Sequence, residues 1–118
     1  MTDRYLEMPA RDEIDLAEVL QALGDPVRLQ IVGALAGGER ACGSFPLPVS
    51  DSTRSHHFKV LRRAGVTATR VHGTQRLASL RRGDLDARFP GLLDSVLDAP
   101  RRRRVPGPGQ RRSVRVER

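Results

Sequence analysis

The apolar residues in the first third of the chain recur at helical spacing. Leu16, Leu20 and Leu23 fall on one face, and the pattern predicts a helix from about Ala10 to Leu23. Other apolar residues widen this face into a broad arc. Because the arc is wide for so short a helix, we expect the helix to be buried on two sides.

The boundary that follows carries a helix-ending and a helix-starting signal in succession. Gly24 suits the left-handed end of a helix, Asp25 can cap the next helix, and Pro26 suits its first turn. The second helix is predicted to end at Gly37-Gly38. Beyond it, the run Pro46-Leu47-Pro48 leaves room only for a short third helix.

The segment from Ser50 to Gly65 predicts a fourth helix with a polar face. Ser50 is the N-terminal cap, Gly65 lies at the end, and Phe58 and Leu61 face the core. At 100° per residue, the side chains opposite the core are those of Ser52, Ser55, His56, Lys59 and Arg63. Hydroxyls, imidazoles and amines on a rod about 10–12 Å wide suit the base edges of a DNA major groove.

The rest of the patterned chain predicts a hairpin and a last helix. Residues 66–80 contain two short runs with the alternating pattern of β-strands, one on each side of the turn His72-Gly73-Thr74-Gln75. Apolar residues from Leu85 to Leu97 then predict a helix capped by Asp84. Pro90 is expected to split this helix and to occupy the first turn of its second part.

Composition fits one small domain with a lean core. The 118 residues include no Trp and only 3% aromatics, so the core must consist of Leu, Val, Ile and Ala. Such a core often gains burial by pairing with a second copy. We predict a flexible N-terminal segment at 1–9, one domain at 10–98 and a disordered Arg-rich tail at 99–118. A single cysteine and no apolar run of about 18 residues favour a cytoplasmic protein without membrane contact.

The net charge of +7 is distributed in blocks. Residues 1–51 contain four Arg against nine acids, a net −5; residues 52–83 contain eight basic residues and no acid; residues 84–100 have a net −3. The tail, with eight Arg and one Glu, has a net +7. A basic block between two acidic ones indicates a surface that faces phosphates. The tail is either a non-specific DNA arm or a solubilising segment.

The predicted order is a winged helix-turn-helix: mainly α with a small β-hairpin, α-α-α-α-β-β-α. The stretches Leu23–Ile31 and Ser50–Val66, with the hairpin around Gly73, resemble the ArsR-type bacterial transcriptional repressors over roughly residues 12–98. The resemblance implies a cytoplasmic homodimer, joined through its first and last helices, that binds an imperfect palindrome near a promoter until a signal releases it.

The chain departs from that family's pattern in two places. The prolines at 46 and 48 shorten the first helix of the helix-turn-helix, and the metal-binding Cys and His sets are missing. We therefore expect no metal site and no cofactor. An enzyme is not expected either, since no nucleophile, base and carboxylate set or phosphate-binding glycine loop is present.

The candidate DNA-binding residues lie in the basic block. Base contacts are expected from Ser52, Ser55, His56 and Lys59, and phosphate contacts from Arg62 and Arg63. The wing would reach the backbone or the minor groove. The full predicted set is Ser52, Thr53, Arg54, Ser55, His56, His57, Lys59, Arg62, Arg63, Arg70, His72, Thr74, Gln75 and Arg76. His57 lies nearer the core side, where it is a packing residue or a phosphate donor.

Alternatives remain for each feature. The polar helix face can be merely solvated, and the wing can be an ordinary surface hairpin. A winged-helix adaptor that binds an acidic protein would carry the same fold, with DNA binding incidental. Cys42 is either a small buried hydrophobic residue or a redox switch, with Arg40 nearby to favour its thiolate. An unknown small-molecule effector is a further possibility.

Overall fold

The computed structural model describes residues 3–99, and the Arg-rich tail after Ala99 lies outside them. The helices are α1 (Leu16–Leu23), α2 (Pro26–Leu35), α3 (Asp51–Ala64), α4 (Arg82–Arg88) and α5 (Leu92–Asp98). The strands are β1 (Arg4–Tyr5), β2 (Arg40–Ala41), β3 (Thr67–His72) and β4 (Gln75–Leu80). They form one antiparallel sheet in the order β1-β3-β4-β2. None of the described helices is long and apolar enough to cross a membrane.

The predicted first helix is two elements. A single 3-10 turn, Arg11–Glu13, precedes α1, and Ile14 lies between them with 1% of its surface exposed. The carboxylate of Asp15 accepts a hydrogen bond from the Glu18 backbone N–H at 3.1 Å and so caps α1. The prediction of one helix from Ala10 was wrong because this internal cap begins a new helix.

The N-terminal segment, predicted to be flexible, contributes to the sheet. β1 pairs with β3 through Tyr5 opposite Arg70, and the Leu6 N–H donates to the Thr69 carbonyl at 2.8 Å. The strand covers the outer edge of β3, which would otherwise present unpaired backbone groups. The folded unit therefore begins before residue 10.

The first helix of the helix-turn-helix is reduced to one 3-10 turn, Cys42–Ser44. This confirms that the prolines allow no long helix, but the predicted third α-helix does not form. Phe45, 4% exposed, packs edge-on against Phe58 of α3 with ring centroids 5.1 Å apart. This aromatic pair supports α3 in place of a longer helix.

The ends of α3 are as predicted. The Ser50 hydroxyl accepts from the Thr53 N–H at 3.2 Å, and Gly65 ends the helix in the left-handed region at φ +90°. Phe58, Leu61 and Ala64 are buried. These contacts fix which face of α3 points away from the core.

The C-terminal pattern forms two helices, as the sequence predicted, but with different ends. Gly91, at φ +86°, precedes α5, so Pro90 lies before its first turn. Asp84 is inside α4 and does not cap it. Its carboxylate accepts from Arg11 at 2.7 Å and from Arg81 at 3.0 Å, and these hydrogen bonds lower its pKa. Asp84 thus links α4 to the turn before α1.

Candidate nucleic-acid interface

The outward face of α3 carries the side chains predicted to read DNA. Five of them are exposed: Ser52, Ser55, His56, Lys59 and Arg63. They project from a helix of 14 residues whose opposite face is held by the core. The helix thus presents hydrogen-bond donors and acceptors on one solvent-facing surface, which we call the polar face of α3.

The side chains of Thr53 and Arg54 form hydrogen bonds and an ion pair with residues in the first turn of α3 or in the segment before it. The Thr53 hydroxyl accepts from the Ser50 hydroxyl at 3.0 Å and belongs to the helix cap. The Arg54 guanidinium pairs with Asp51 and donates to the Phe45 carbonyl at 3.4 Å. Its side chain is 18% exposed, so its charged head is held by these contacts rather than free in solvent.

His57 does not belong to the polar face. It is 8% exposed, and its Nδ1 lies 3.1 Å from the guanidinium of Arg28 on α2. Because Arg28 can only donate, Nδ1 accepts, and the ring proton lies on Nε2. Its burial and its contact with Arg28 favour the packing role over the phosphate contact, which stays a prediction.

The two arginines at the end of α3, Arg62 and Arg63, differ in their exposure to solvent. Arg63 is exposed, whereas Arg62 is half-buried and donates to the Glu7 carbonyl at 3.1 Å. Burial lowers the pKa of Arg62, and the positive charges of Arg63 and Arg76 lower it further. Arg62 therefore belongs to a cluster of like charges between α3 and the wing.

Two side chains of β3, those of Arg70 and His72, are partnered by carboxylates. Arg70 pairs with Asp3 and donates to both carboxylate oxygens of Glu39, at 2.7 and 2.8 Å. Its guanidinium is therefore engaged by carboxylates within the chain, and a contact of Arg70 with DNA stays a prediction. His72, with Nδ1 3.0 Å from Asp3, is also partnered.

The tip of the wing is open. Thr74, Gln75 and Arg76 are exposed around a turn with Gly73 at φ +63°. The two-residue connection between β3 and β4 requires this left-handed backbone, which glycine adopts without steric cost. Arg76 of the wing and Ser55 of the polar face of α3 line the same cleft, so the exposed wing residues begin next to that face.

Cys42 lies in the wall of the same cleft and is half-buried. Burial raises the pKa of its thiol, while the charges of Arg76, Arg62 and Arg54 act in the opposite direction. The predicted influence of Arg40 was wrong, since its guanidinium lies over the Phe45 ring, 5.2 Å from the centroid. Within residues 3–99, no three His, Cys, Asp or Glu residues are grouped to hold a metal ion.

Several residues that shape the site were missed by sequence reasoning. Arg28 fixes His57, and Asp3 and Glu39 neutralise Arg70. Their contacts span 29, 67 and 31 residues of sequence. No short-range pattern marks pairs so far apart.

Known proteins with similar sequences and folds point to one class. The chain is 34% identical over 96 residues to the helix-turn-helix transcriptional regulator YceK of Bacillus subtilis, covering 78% of this chain and 96% of YceK. It is 30% identical to a possible transcriptional regulator for arsenical resistance of known structure, with a TM-score of 0.57 over 69% of this chain and 84% of that one. The transcriptional repressor BigR from Xylella fastidiosa has 26% identity and a TM-score of 0.53, over 69% and 97% of the two chains. No family model matches the chain.

The fold and these relatives define a winged helix-turn-helix regulator of transcription, a class of DNA-binding proteins. The chain belongs to the ArsR-type regulators within that class.

Proposed function

We propose that the protein is a homodimeric transcriptional repressor that binds an imperfect palindromic operator in the cytoplasm. The observation that carries this proposal is the polar face of α3 beside an exposed wing tip, in a block where residues 52–83 include no acid. Two such helices would enter successive major grooves about 34 Å apart.

The roles within the interface follow from exposure. Ser52, Ser55, His56 and Lys59 are free to reach base edges, and Lys59 suits guanine. Arg63 and Arg76, exposed at the two margins of the region, suit backbone phosphates, which set the register of the protein on the duplex. Thr74 and Gln75 extend the wing toward the backbone or the minor groove.

The dimer interface is proposed on α1 and α5, the first and last helices, as the resemblance to the ArsR-type repressors implies. Leu16 and Leu20 of α1 are 44% and 49% exposed and lie one turn apart. Val96 and Leu97 of α5 are half-buried beside a groove of about 820 Å³ between α2 and α5. Leucines that protrude and an apolar groove on the same molecule are what a self-complementary twofold interface needs.

Replacing Lys59 by Ala tests the polar face. We expect operator binding to weaken by about 1–3 kcal/mol and discrimination at one base pair to relax, because a base contact is lost. Binding would be measured by fluorescence anisotropy on a duplex selected from a random DNA pool. Arg82→Gln on α4 is the control, since it removes one positive charge outside the interface. Equal binding by Lys59→Ala and the parent would place the base-reading surface elsewhere.

The response to oxidants tests Cys42. The half-buried thiol, with its pKa raised by burial, supports the packing role, because the thiolate is the reactive form. We expect the parent and Cys42→Ser to keep the operator equally when hydrogen peroxide is added. Release of DNA by the parent alone would instead establish a redox switch at this residue.

A further inference from the structure

A small cleft opens between α3, the 3-10 turn at Cys42 and the two wing strands. Its volume is about 160 Å³, and Cys42, Arg54, Arg62, Thr69 and Arg76 line it. At roughly 30 Å³ per water molecule, this is space for about five waters. A single small group fits here, whereas a nucleotide or a peptide side chain with its backbone does not.

Two of the three arginines that line the cleft have no ion-pair partner among the described residues. Arg54 pairs with Asp51 at the rim, so its charge is compensated. Arg62 donates to a neutral carbonyl, that of Glu7, and within residues 3–99 neither Arg62 nor Arg76 forms an ion pair. Burial lowers the pKa of Arg62, and the charge of Arg76 lowers it further. An anion between the two guanidiniums would relieve their repulsion.

A buried hydroxyl in the wall of the cleft has no partner. Thr69 is 2% exposed, and its Oγ1 makes no hydrogen bond among the described residues. A buried hydroxyl without a partner costs about 1–3 kcal/mol. The Thr69 oxygen has no surface that a water-sized group in the cleft can touch, so the donors that the cleft offers to an anion are the two guanidiniums.

From this arrangement we propose that the cleft binds one phosphate-like oxyanion, held by Arg62 and Arg76. Two sources offer that chemistry: a phosphodiester of bound DNA, and a free anion such as inorganic phosphate. The cleft lies between the polar face of α3 and the wing, because exposed Ser55 and Arg76 both line it. The DNA source rests on the proposed function, whereas the free anion does not.

The alkylation rate of Cys42, which lies in the wall of the cleft, reports the charge of the cleft. Alkylation of the thiol by iodoacetate, which is anionic, would be compared with alkylation by neutral iodoacetamide. We expect the ratio of the two rates to exceed that of an uncharged cysteine peptide, because the cleft concentrates anions. Arg62→Gln and Arg76→Gln should each lower the ratio about threefold, as expected for one charge at several ångströms in a largely aqueous dielectric. Arg63→Gln, next in sequence but outside the cleft, should lower it less than either of these substitutions.

Ligand protection identifies the source of the anion. Inorganic phosphate, titrated against chloride at constant ionic strength, should slow alkylation by both reagents in the parent and not in Arg76→Gln. If the selected operator duplex protects Cys42 as well, and phosphate weakens its binding, a DNA phosphate occupies the site. Protection by phosphate alone identifies a free anion. A rate ratio equal to that of the peptide, with no protection by phosphate, would overturn the proposal whether or not the protein binds DNA.

Discussion

Replacing Leu20 by Glu is expected to convert the protein to monomers and to weaken operator binding by about two orders of magnitude or more. Leu20 is 49% exposed on α1, one turn from Leu16 at 44%. In the proposed dimer both are covered, and a carboxylate there would be buried without a partner. A monomer also loses the gain that two linked half-site contacts provide, about 10²–10⁴ in affinity. Sedimentation velocity and anisotropy measure the two effects.

The control for this substitution lies on the same helix. Gln21→Glu adds the same charge at the next exposed position, 100° around α1. It should leave the sedimentation coefficient unchanged. A Leu20→Glu variant that sediments as the parent does and binds the operator as tightly would show that α1 is not the dimer surface.

The largest expected effect on stability comes from Gly65→Ala. Gly65 ends α3 at φ +90°, and a Cβ there would lie 2.7 Å from Cγ1 of Ile14. Ile14 is 1% exposed, so it cannot move aside without disturbing the core. The left-handed backbone costs about 1 kcal/mol with a side chain, and overpacking adds about 1–3 kcal/mol. We expect the free energy of unfolding in urea to fall by about 2–4 kcal/mol.

Gly91→Ala separates the cost of the left-handed backbone from the cost of overpacking. Gly91 has nearly the same backbone angle, φ +86°, but a Cβ added there would meet no atom within 4 Å. Its substitution should therefore cost only the backbone part, about 1 kcal/mol. Equal losses of stability for the two variants would mean that the close approach of Gly65 to Ile14 does not matter.

Features that depend on neighbouring residues could be predicted from the sequence. Asp25 before Pro26, Ser50 before α3 and Gly65 after it are local capping signals, and the structure confirms all three. The hairpin around Gly73 is equally local, because its two-residue turn needs a left-handed residue. By contrast, β1 has only two residues, too few for a periodic pattern, and its pairing partner is more than 60 residues away.

The candidate site was predictable as a region but not residue by residue. Helical spacing placed Ser52, Ser55, His56, Lys59 and Arg63 on one exposed face of α3. Helical spacing does not predict the ion pairs of Arg70 with Asp3 and Glu39, or the hydrogen bond between Arg28 and His57. A charge count treats every arginine as available to phosphate, whereas the fold decides which ones already have a partner. The exposed cations of the site are Lys59, Arg63 and Arg76.

In the proposed complex, two copies of the chain present their α3 helices to one duplex. The most direct test is selection of bound sites from a random DNA pool by the full-length protein, with the mass of the complex measured on the enriched duplex. We expect inverted half-sites with centres one helical turn apart, about 10 base pairs, bound by two chains. A single chain on the duplex, or retention without sequence preference as an adaptor would show, contradicts this expectation.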